Sequence, residues 1–251
     1  MESVQTCLQK GMQIRGIKEP AAIRMAVETF NKQSPPNFRG LHPDLPIRMY
    51  QRHLPHWRQE GATYAVTFRQ ADSIPQEQLQ SLKRWRAIWE KQYPEPRSEI
   101  TWMQLAQEIT KRTERWMDEG YGSCLLREPK FSKMMSDSLL HFQDQRHFTS
   151  CFVVMPNHVH VVIRPMAGFE LEDCLQRIKQ FVSTQMNKNL KRHGPLWEEE
   201  SYDRIVRDDE HLWNVVQYIG RNPKKAGISV AQWVRWIHPD WKAAGWDFVD
   251  E

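Results

Sequence analysis

The chain has 251 residues and a formal net charge of +4 at pH 7, with 40% hydrophobic and 26% charged residues. This balance is typical of a soluble globular protein and argues against a disordered chain. No apolar run reaches the roughly 20 residues that a membrane span requires, and the start of the chain lacks the apolar core of a secretory signal. The four cysteines form no C-x-x-C pair, so we expect reduced thiols in a cytoplasmic protein without a membrane partner. The mild positive charge is compatible with nucleic acid binding.

The first part of the chain is predicted to be an appendage. A short helix is expected over residues 21–32, and two proline-rich stretches between residues 34 and 46 prevent regular structure. We therefore expect an N-terminal arm or linker over residues 1–60.

From residue 61 onward, hydrophobic periodicity predicts a mixture of strands and helices. Strands are expected over residues 62–69, 147–155, 158–164 and 202–207, and helices over residues 75–93, 101–119, 131–144, 170–192 and 211–221. Thr101 and Gln104 have the spacing of a helix capping box. Phe181 is expected on the apolar side of its helix. This order of elements predicts an α+β fold whose helices pack against one face of a sheet.

The most informative stretch is a hairpin with two histidines. Pro156 and Asn157 are typical turn residues between two apolar runs rich in β-branched side chains. On the second strand, side chains alternate, so His158, His160 and Arg164 share one face. Two imidazoles at consecutive same-face positions of a strand can form one side of a metal site. The alternative is that both are ordinary polar residues on the wetter face of a sheet.

The last predicted helix carries a second group of candidate residues. Its apolar stripe repeats at helical spacing and must pack inward, with Tyr218 on the border of that stripe. Asn222 lies one turn later, and the following Pro223 is expected to bias it away from helical backbone angles. Lys224 and Lys225 suit both a helix C-terminus and a phosphate ligand. Taken alone, Tyr218 could also be a simple rim residue of an amphipathic helix.

The two groups in this order resemble a known family. The segment MPNHVH at residues 155–160, followed by YIGRNPKKAG at residues 218–227, is similar to the REP-associated tyrosine transposases. These are insertion-sequence-200-like (IS200-like) transposases among the HUH single-strand endonucleases. The resemblance runs from about residue 63 to residue 228 and implies a ferredoxin-like antiparallel sheet with the histidines on a central strand. We thus expect a catalytic domain over residues 61–228. A Trp-rich tail over residues 229–251 would pack on that domain or contact DNA.

The resemblance also implies an activity and its residues. His158, His160 and the amide of Asn222 would bind a divalent metal, Mg²⁺ or Mn²⁺, and Tyr218 would attack DNA. The protein would then be a transposase that cleaves and rejoins single-stranded DNA at hairpins through a 5′-phosphotyrosine, as a monomer or homodimer. A phenol has a pKa near 10, so the tyrosine needs a base or a positive field to act as a nucleophile. Residues predicted to contact DNA are Arg164, Arg177, Lys179, Arg204, Arg207, Arg221, Lys224 and Lys225.

Two other classes of protein remain open at this stage. One is a domesticated protein that binds nucleic-acid hairpins without turnover; the presence of both histidines and of Tyr218 argues against it. The other is a metallohydrolase that uses water as its nucleophile, with Tyr218 incidental. The lack of an H-E-x-x-H motif and of a nearby carboxylate base argues against the hydrolase.

Overall fold

The computed structural model describes residues 30–52 and 55–249. The chain divides into two compact units, Met1–Asn31 and Lys32–Glu251, and the first lies almost wholly outside the described residues. The helix predicted over residues 21–32 therefore also falls mainly outside them. Among the described helices, none combines the length and apolarity needed to cross a membrane.

The described residues form seven strands and six α-helices. The strands are β1 Arg48–Gln51, β2 Pro55–Arg58, β3 Tyr64–Arg69, β4 His147–Val154, β5 His158–Pro165, β6 Tyr202–Ile205 and β7 Val234–Ile237. The helices are α1 Gln76–Gln92, α2 Glu99–Asp118, α3 Pro129–Leu140, α4 Leu171–Leu190, α5 Asp209–Lys225 and α6 Pro239–Ala243. Short 3₁₀ turns span Leu125–Arg127 and Val230–Gln232.

The main sheet has five strands in the order β6-β3-β5-β4-β7, and every neighbouring pair is antiparallel. Strands β3 to β6, with α3 before β4 and α4 after β5, follow the β-α-β-β-α-β order of a ferredoxin-like fold. The α+β class with an antiparallel sheet is confirmed. Strand β5 lies at the centre of the sheet and carries His158 and His160.

One face of the sheet forms the main hydrophobic core. Val159, Val161 and Ile163 of β5 pack there with apolar side chains from α3 and α4. Each fully buried side chain of this kind stabilises the fold by about 1.5–3 kcal/mol. Phe181 does not take part, because its side chain is 52% exposed; its predicted inward position was wrong. The neighbouring Ile178 and Val182 point inward instead.

The helices do not all lie on that face. Helices α3 and α4 share it, as predicted, but α5 covers the opposite face, where its Tyr218 lies against His160. The sheet is therefore covered on both sides, whereas the sequence predicted helices on one. The second layer is explained by the apolar stripe of α5, whose Leu212, Val215 and Val216 are almost fully buried.

The segment before residue 61 includes a hairpin. Residues 30–47 contain no helix or strand, but β1 and β2 pair with each other and pack beside β6. His56 Nδ1 lies 2.7 Å from Asp203 Oδ2, and Arg58 Nη2 donates to the same oxygen at 3.0 Å. The hairpin is thus joined by buried ion pairs to the domain predicted over residues 61–228.

The tail after residue 228 also packs on this domain. Strand β7 pairs with β4 and completes the sheet. Trp241 and Trp246 are fully buried, and their indole N–H groups donate to the carbonyls of Pro36 (2.7 Å) and Gln33 (2.8 Å). These two hydrogen bonds hold the proline-rich N-terminal segment against the end of the chain.

Two details at helix ends differ from the prediction. Helix α2 begins after Ser98, whose Oγ accepts from the Thr101 N–H at 3.2 Å, so the predicted capping box at Thr101 was wrong. Helix α5 is capped by Asp208, which accepts from the His211 N–H at 2.7 Å. It then continues through Pro223, so the predicted departure of Asn222 from helical geometry was also wrong.

Candidate active site

The two histidines of β5 meet on the α5 side of the sheet. His158 Nε2 and His160 Nε2 are 3.0 Å apart, and the two ring planes are nearly perpendicular, at 88°. Both residues are only 1% exposed. Burial, the neighbouring His160 and the charge of Lys225 hold the pKa of His158 well below its usual value. Burial and the same lysine lower the pKa of His160 to about 3, so both rings are neutral at pH 7.

The other nitrogen of each ring has its own partner. His158 Nδ1 lies 2.7 Å from Asn157 Oδ1, and His160 Nδ1 lies 2.8 Å from the Thr67 hydroxyl on β3. Partners of this kind orient metal-binding histidines and decide which ring nitrogen carries the proton. Here they occupy both Nδ1 atoms and leave the two Nε2 atoms facing each other.

This arrangement fits a divalent cation. Two imidazole nitrogens at about 2.1 Å from one ion and at right angles to each other would be about 3 Å apart, which matches the observed separation of the Nε2 atoms. The described residues contain no group of three or more His, Cys, Asp or Glu side chains able to hold a metal. Further ligands would therefore be an amide, water or phosphate oxygens, a mixed N/O set that suits Mg²⁺ or Mn²⁺.

Asn222 is the amide predicted as the third ligand. It is 1% exposed, and its Nδ2 donates to the Tyr218 carbonyl one turn earlier at 3.1 Å. Because α5 remains helical through this position, Asn222 and Tyr218 project on the same side of the helix. Its role as a ligand remains a prediction.

Tyr218 faces the histidines from α5. The ring centroids of Tyr218 and His160 are 6.2 Å apart, and both residues line a cavity of about 260 Å³ together with Glu114 and Arg204. The Tyr218 hydroxyl is buried and forms no hydrogen bond of standard geometry with the described residues. Burial, followed by the negative charge of Glu114, raises the pKa of Tyr218 above its usual value.

Two further charged residues lie near the cavity, Glu114 from outside both motifs and Lys225 from within the second. Glu114 comes from α2, and burial raises the pKa of its carboxyl group. Lys225 extends from the end of α5 to Asp118 of α2, with 2.7 Å between Nζ and Oδ2. Helix α2 thus supplies a wall of the cavity as well as the partner of this lysine.

The residues predicted to contact DNA are divided between the two faces of the sheet. Arg204 shares the face of the histidines and lines the cavity, and Lys225 is close enough to lower the pKa of both imidazoles. Arg177 is exposed on α4, which covers the opposite face, and Lys179 on that helix donates to the carbonyls of Glu198 and Glu199.

The remaining predicted contacts lie away from the cavity or at its edge. Arg164 is at the far end of β5 and donates to the Asn37 carbonyl at 2.8 Å. Three are exposed in the loop before α5 or in its last two turns: Arg207, Arg221 and Lys224. None of them lines the cavity that holds Tyr218.

Thr67, Asn157 and Glu114 were not assigned to the site from the sequence. The expected lack of a nearby carboxylate base was wrong, because Glu114 lines the cavity. Asn157 stands next to His158 in the turn, and its position was the available signal for it. Thr67 lies opposite His160 on the neighbouring strand β3, and Glu114 lies on a helix, more than forty residues before His158 in the chain. No local pattern in the chain connects the latter two with the histidines.

The fold and the site together define a class: a ferredoxin-like sheet that carries a histidine pair on its central strand, opposite a tyrosine on a covering helix. Residues 130–222 match the family model described as "Transposase IS200 like". This match contains both histidines, Tyr218 and Asn222, and it confirms over that range the resemblance inferred from the sequence. A solved structure of a REP-associated tyrosine transposase bound to a REP hairpin is also similar, at 15% identity over 72% of this chain and 74% of that chain, with a TM-score of 0.41. No curated protein matches the sequence.

Proposed function

We propose that the protein is a transposase that cleaves and rejoins single-stranded DNA beside hairpins, through a 5′-phosphotyrosine on Tyr218. The observation that carries this proposal is the placement of Tyr218 and His160 on the walls of one cavity, with their rings 6.2 Å apart. A nucleophile and a pair of potential metal ligands then reach the same phosphate group. The match of residues 130–222 to IS200-like transposases supports the same activity.

The residues that would hold the metal are His158, His160 and Asn222. A divalent cation bound there would polarise the scissile phosphodiester and stabilise the charge that develops on its non-bridging oxygens. The two imidazoles are buried, neutral and already oriented by their Nδ1 partners, so little reorganisation is needed at this side of the site.

Tyr218 supplies the attacking oxygen. The Tyr218 Oη–H proton passes to the Glu114 carboxylate, Oη forms a bond to phosphorus, and the bond from phosphorus to the 3′ oxygen breaks. The 3′ oxygen takes a proton from water. Burial raises the pKa of Glu114, which brings this carboxylate closer to the range where it is an effective base. Because the product is still a phosphodiester, another 3′-hydroxyl can reverse the step without ATP.

The opening to the cavity favours an unpaired strand. Arg204 on β6 and Lys225 at the end of α5 are exposed cations on the same side of the sheet as Tyr218, and each can neutralise a phosphate next to the attacked one. A cavity of about 260 Å³ accommodates a phosphate with its adjoining sugar, whereas a duplex is too wide to enter it. We infer that a hairpin is bound outside and delivers its single-stranded flank to the site.

The test is covalent trapping on labelled DNA. The protein is incubated with Mn²⁺ and 5′- or 3′-labelled single strands that carry a hairpin, then denatured and separated by electrophoresis. We expect a protein–DNA adduct only with the strands whose label lies 3′ of the cut. Cleavage without any adduct would identify water as the nucleophile and favour the hydrolase, and binding without cleavage would favour a hairpin-binding protein.

A further inference from the structure

The orientation of the Asn157 side chain is fixed by its own hydrogen bonds. Its Nδ2 donates to the carbonyls of Met117 (3.2 Å) and Tyr121 (3.0 Å), and the residue is 1% exposed. A carbonyl accepts but cannot donate, so the amide cannot be turned around without placing its oxygen against two other oxygens. Oδ1 therefore faces His158 Nδ1, at 2.7 Å.

This orientation determines the proton of His158. Because Oδ1 only accepts, His158 Nδ1 must donate, and a neutral imidazole has one N–H. The Nε2 atom of His158 then carries a lone pair. That lone pair points at His160 Nε2, 3.0 Å away.

The proton of His160 follows from that of His158. Two lone pairs at 3.0 Å would repel each other, so in the metal-free protein His160 Nε2 must donate its N–H to His158. His160 Nδ1 is then an acceptor, and its partner at 2.8 Å is the Thr67 hydroxyl, which must donate. A hydroxyl can also rotate and accept.

From these contacts we propose that Asn157 and Thr67 are positioning residues with different tasks. Asn157 holds His158 permanently in the form with the proton on Nδ1, ready to coordinate. Thr67 lets His160 change form: when a divalent cation takes the Nε2 lone pair, the ring proton resides on Nδ1 and the Thr67 hydroxyl turns to accept it. No net proton is gained or lost in this change. The change of His160 on metal binding rests on the proposed function, whereas the protonation of the two rings in the metal-free protein does not.

The first measurement uses the whole wild-type chain without metal. Long-range ¹H–¹⁵N correlation spectra of ¹⁵N-labelled protein report which ring nitrogen of each histidine is protonated, and the signals are assigned with His158→Gln and His160→Gln. We expect the Nδ1–H form for His158 and the Nε2–H form for His160. The opposite pair of forms, or a mixture at His158, overturns the proposal whether or not the protein acts on DNA.

The second measurement adds Mg²⁺ and compares variants at Thr67. We expect His160 to change to the Nδ1–H form while His158 does not change. Thr67→Val, which can neither donate nor accept, should weaken Mn²⁺ binding by about tenfold or more, the usual effect of losing the partner of a ligand histidine. Thr67→Ser keeps the hydroxyl and should restore the wild-type spectrum and affinity.

Two results separate this inference from the proposed function. If His160 stays in the Nε2–H form in protein saturated with Mg²⁺, or if Thr67→Val binds Mn²⁺ as tightly as wild type, the role of Thr67 is refuted. If instead the protons behave as expected but no DNA adduct forms, the proposed transposase activity fails and the positioning roles stand. Asn157→Ala also removes the bonds to Met117 and Tyr121, so the wild-type spectrum remains the decisive test for Asn157.

Discussion

Tyr218 and His160 face each other across the interface between α5 and the sheet, with ring centroids 6.2 Å apart and planes at 83°. One residue lies on a strand at the centre of the sheet and the other on a helix that begins more than forty residues later. Their distance depends on how the apolar stripe of α5 packs on the sheet. Tyr218 is therefore positioned by the fold and by no local loop.

The first prediction concerns the Tyr218 oxygen. Tyr218→Phe removes a hydroxyl that forms no standard hydrogen bond in the described structure, so the free energy of unfolding should change by less than about 1 kcal/mol. The DNA adduct should disappear, because no phenol remains to form the diester. Denaturant unfolding and covalent trapping test the two statements.

Tyr202 provides the matched control, because it lines the same cavity. Tyr202→Phe should still form the adduct, and peptide mapping of the wild-type adduct should place the nucleotide on Tyr218. An adduct mapped to Tyr202, or one that persists in Tyr218→Phe, would show that the wrong nucleophile has been chosen.

The second prediction concerns the histidine pair. His158→Ala and His160→Ala should each reduce metal-dependent cleavage below detection, while hairpin binding in the absence of metal stays near wild type. Exposed His141→Ala serves as the control for losing an imidazole elsewhere. Cleavage by the double variant in Mg²⁺ or Mn²⁺ at a rate near that of wild type would rule out these residues as the metal site.

Much of this arrangement could be predicted from local patterns. Side-chain alternation along β5 placed both histidines on one face, and the apolar stripe of α5 left Tyr218 at its border, where the structure has them. Periodicity also gave most helices to within a few residues. These features depend on neighbours two to four positions away, which a sequence displays directly.

The remaining features depend on contacts between distant parts of the chain. Strand β7 has little alternation of its own and becomes a strand because β4 offers it a free edge. Glu114 reaches Tyr218 only after α2 packs over the cavity, and its helix shows no sign of that role in the sequence. Pro223 was expected to turn Asn222 away from helical angles, but α5 continues to Lys225 with both residues buried. Tertiary packing there outweighs the loss of the hydrogen bond that a proline cannot donate.

The third prediction tests Glu114 as the base for Tyr218. Glu114→Gln keeps the shape of the side chain but cannot take a proton, so the single-turnover rate of adduct formation at pH 7 should fall by about 10²- to 10⁴-fold. Glu108→Gln on the same helix, whose carboxylate pairs with Arg112 at the surface, should have no effect. A faster Glu114→Gln enzyme would mean that the carboxylate restrains the tyrosine by raising its pKa.

The fourth prediction distinguishes the two faces of the sheet as DNA surfaces. Arg204 is exposed on the face that carries the histidines, whereas Arg177 is exposed on α4, on the other side. Arg204→Ala should weaken binding of a single-stranded hairpin substrate and lower the slope of log affinity against log salt by about 1. Arg177→Ala should leave both unchanged. Equal losses for the two variants would mean that DNA contacts both faces.

The last prediction concerns stability against pH at the β1–β2 hairpin. Burial by itself would lower the pKa of His56, but hydrogen bonds to Asp203 and Glu200 outweigh it and raise the pKa to about 9. The pKa of His56 in the folded protein thus lies above its unfolded value of 6.5. Protonated His56 therefore stabilises the fold fully below pH 6.5, and this stabilisation is lost as the pH rises to 9. It amounts to at most about 3 kcal/mol.

Lys179 has the opposite effect on the pH dependence of stability. Burial lowers its pKa to about 8 from 10.5, so its contribution to the free energy of unfolding increases as the pH rises between those values. The informative quantity is therefore the difference between wild type and His56→Gln, measured by urea unfolding at pH 6 and pH 9.5. We expect the variant to be less stable than wild type at pH 6, with most of this difference gone at pH 9.5. A difference that is the same at both pH values would show that the ring of His56 stabilises the hairpin by packing and hydrogen bonding without its charge.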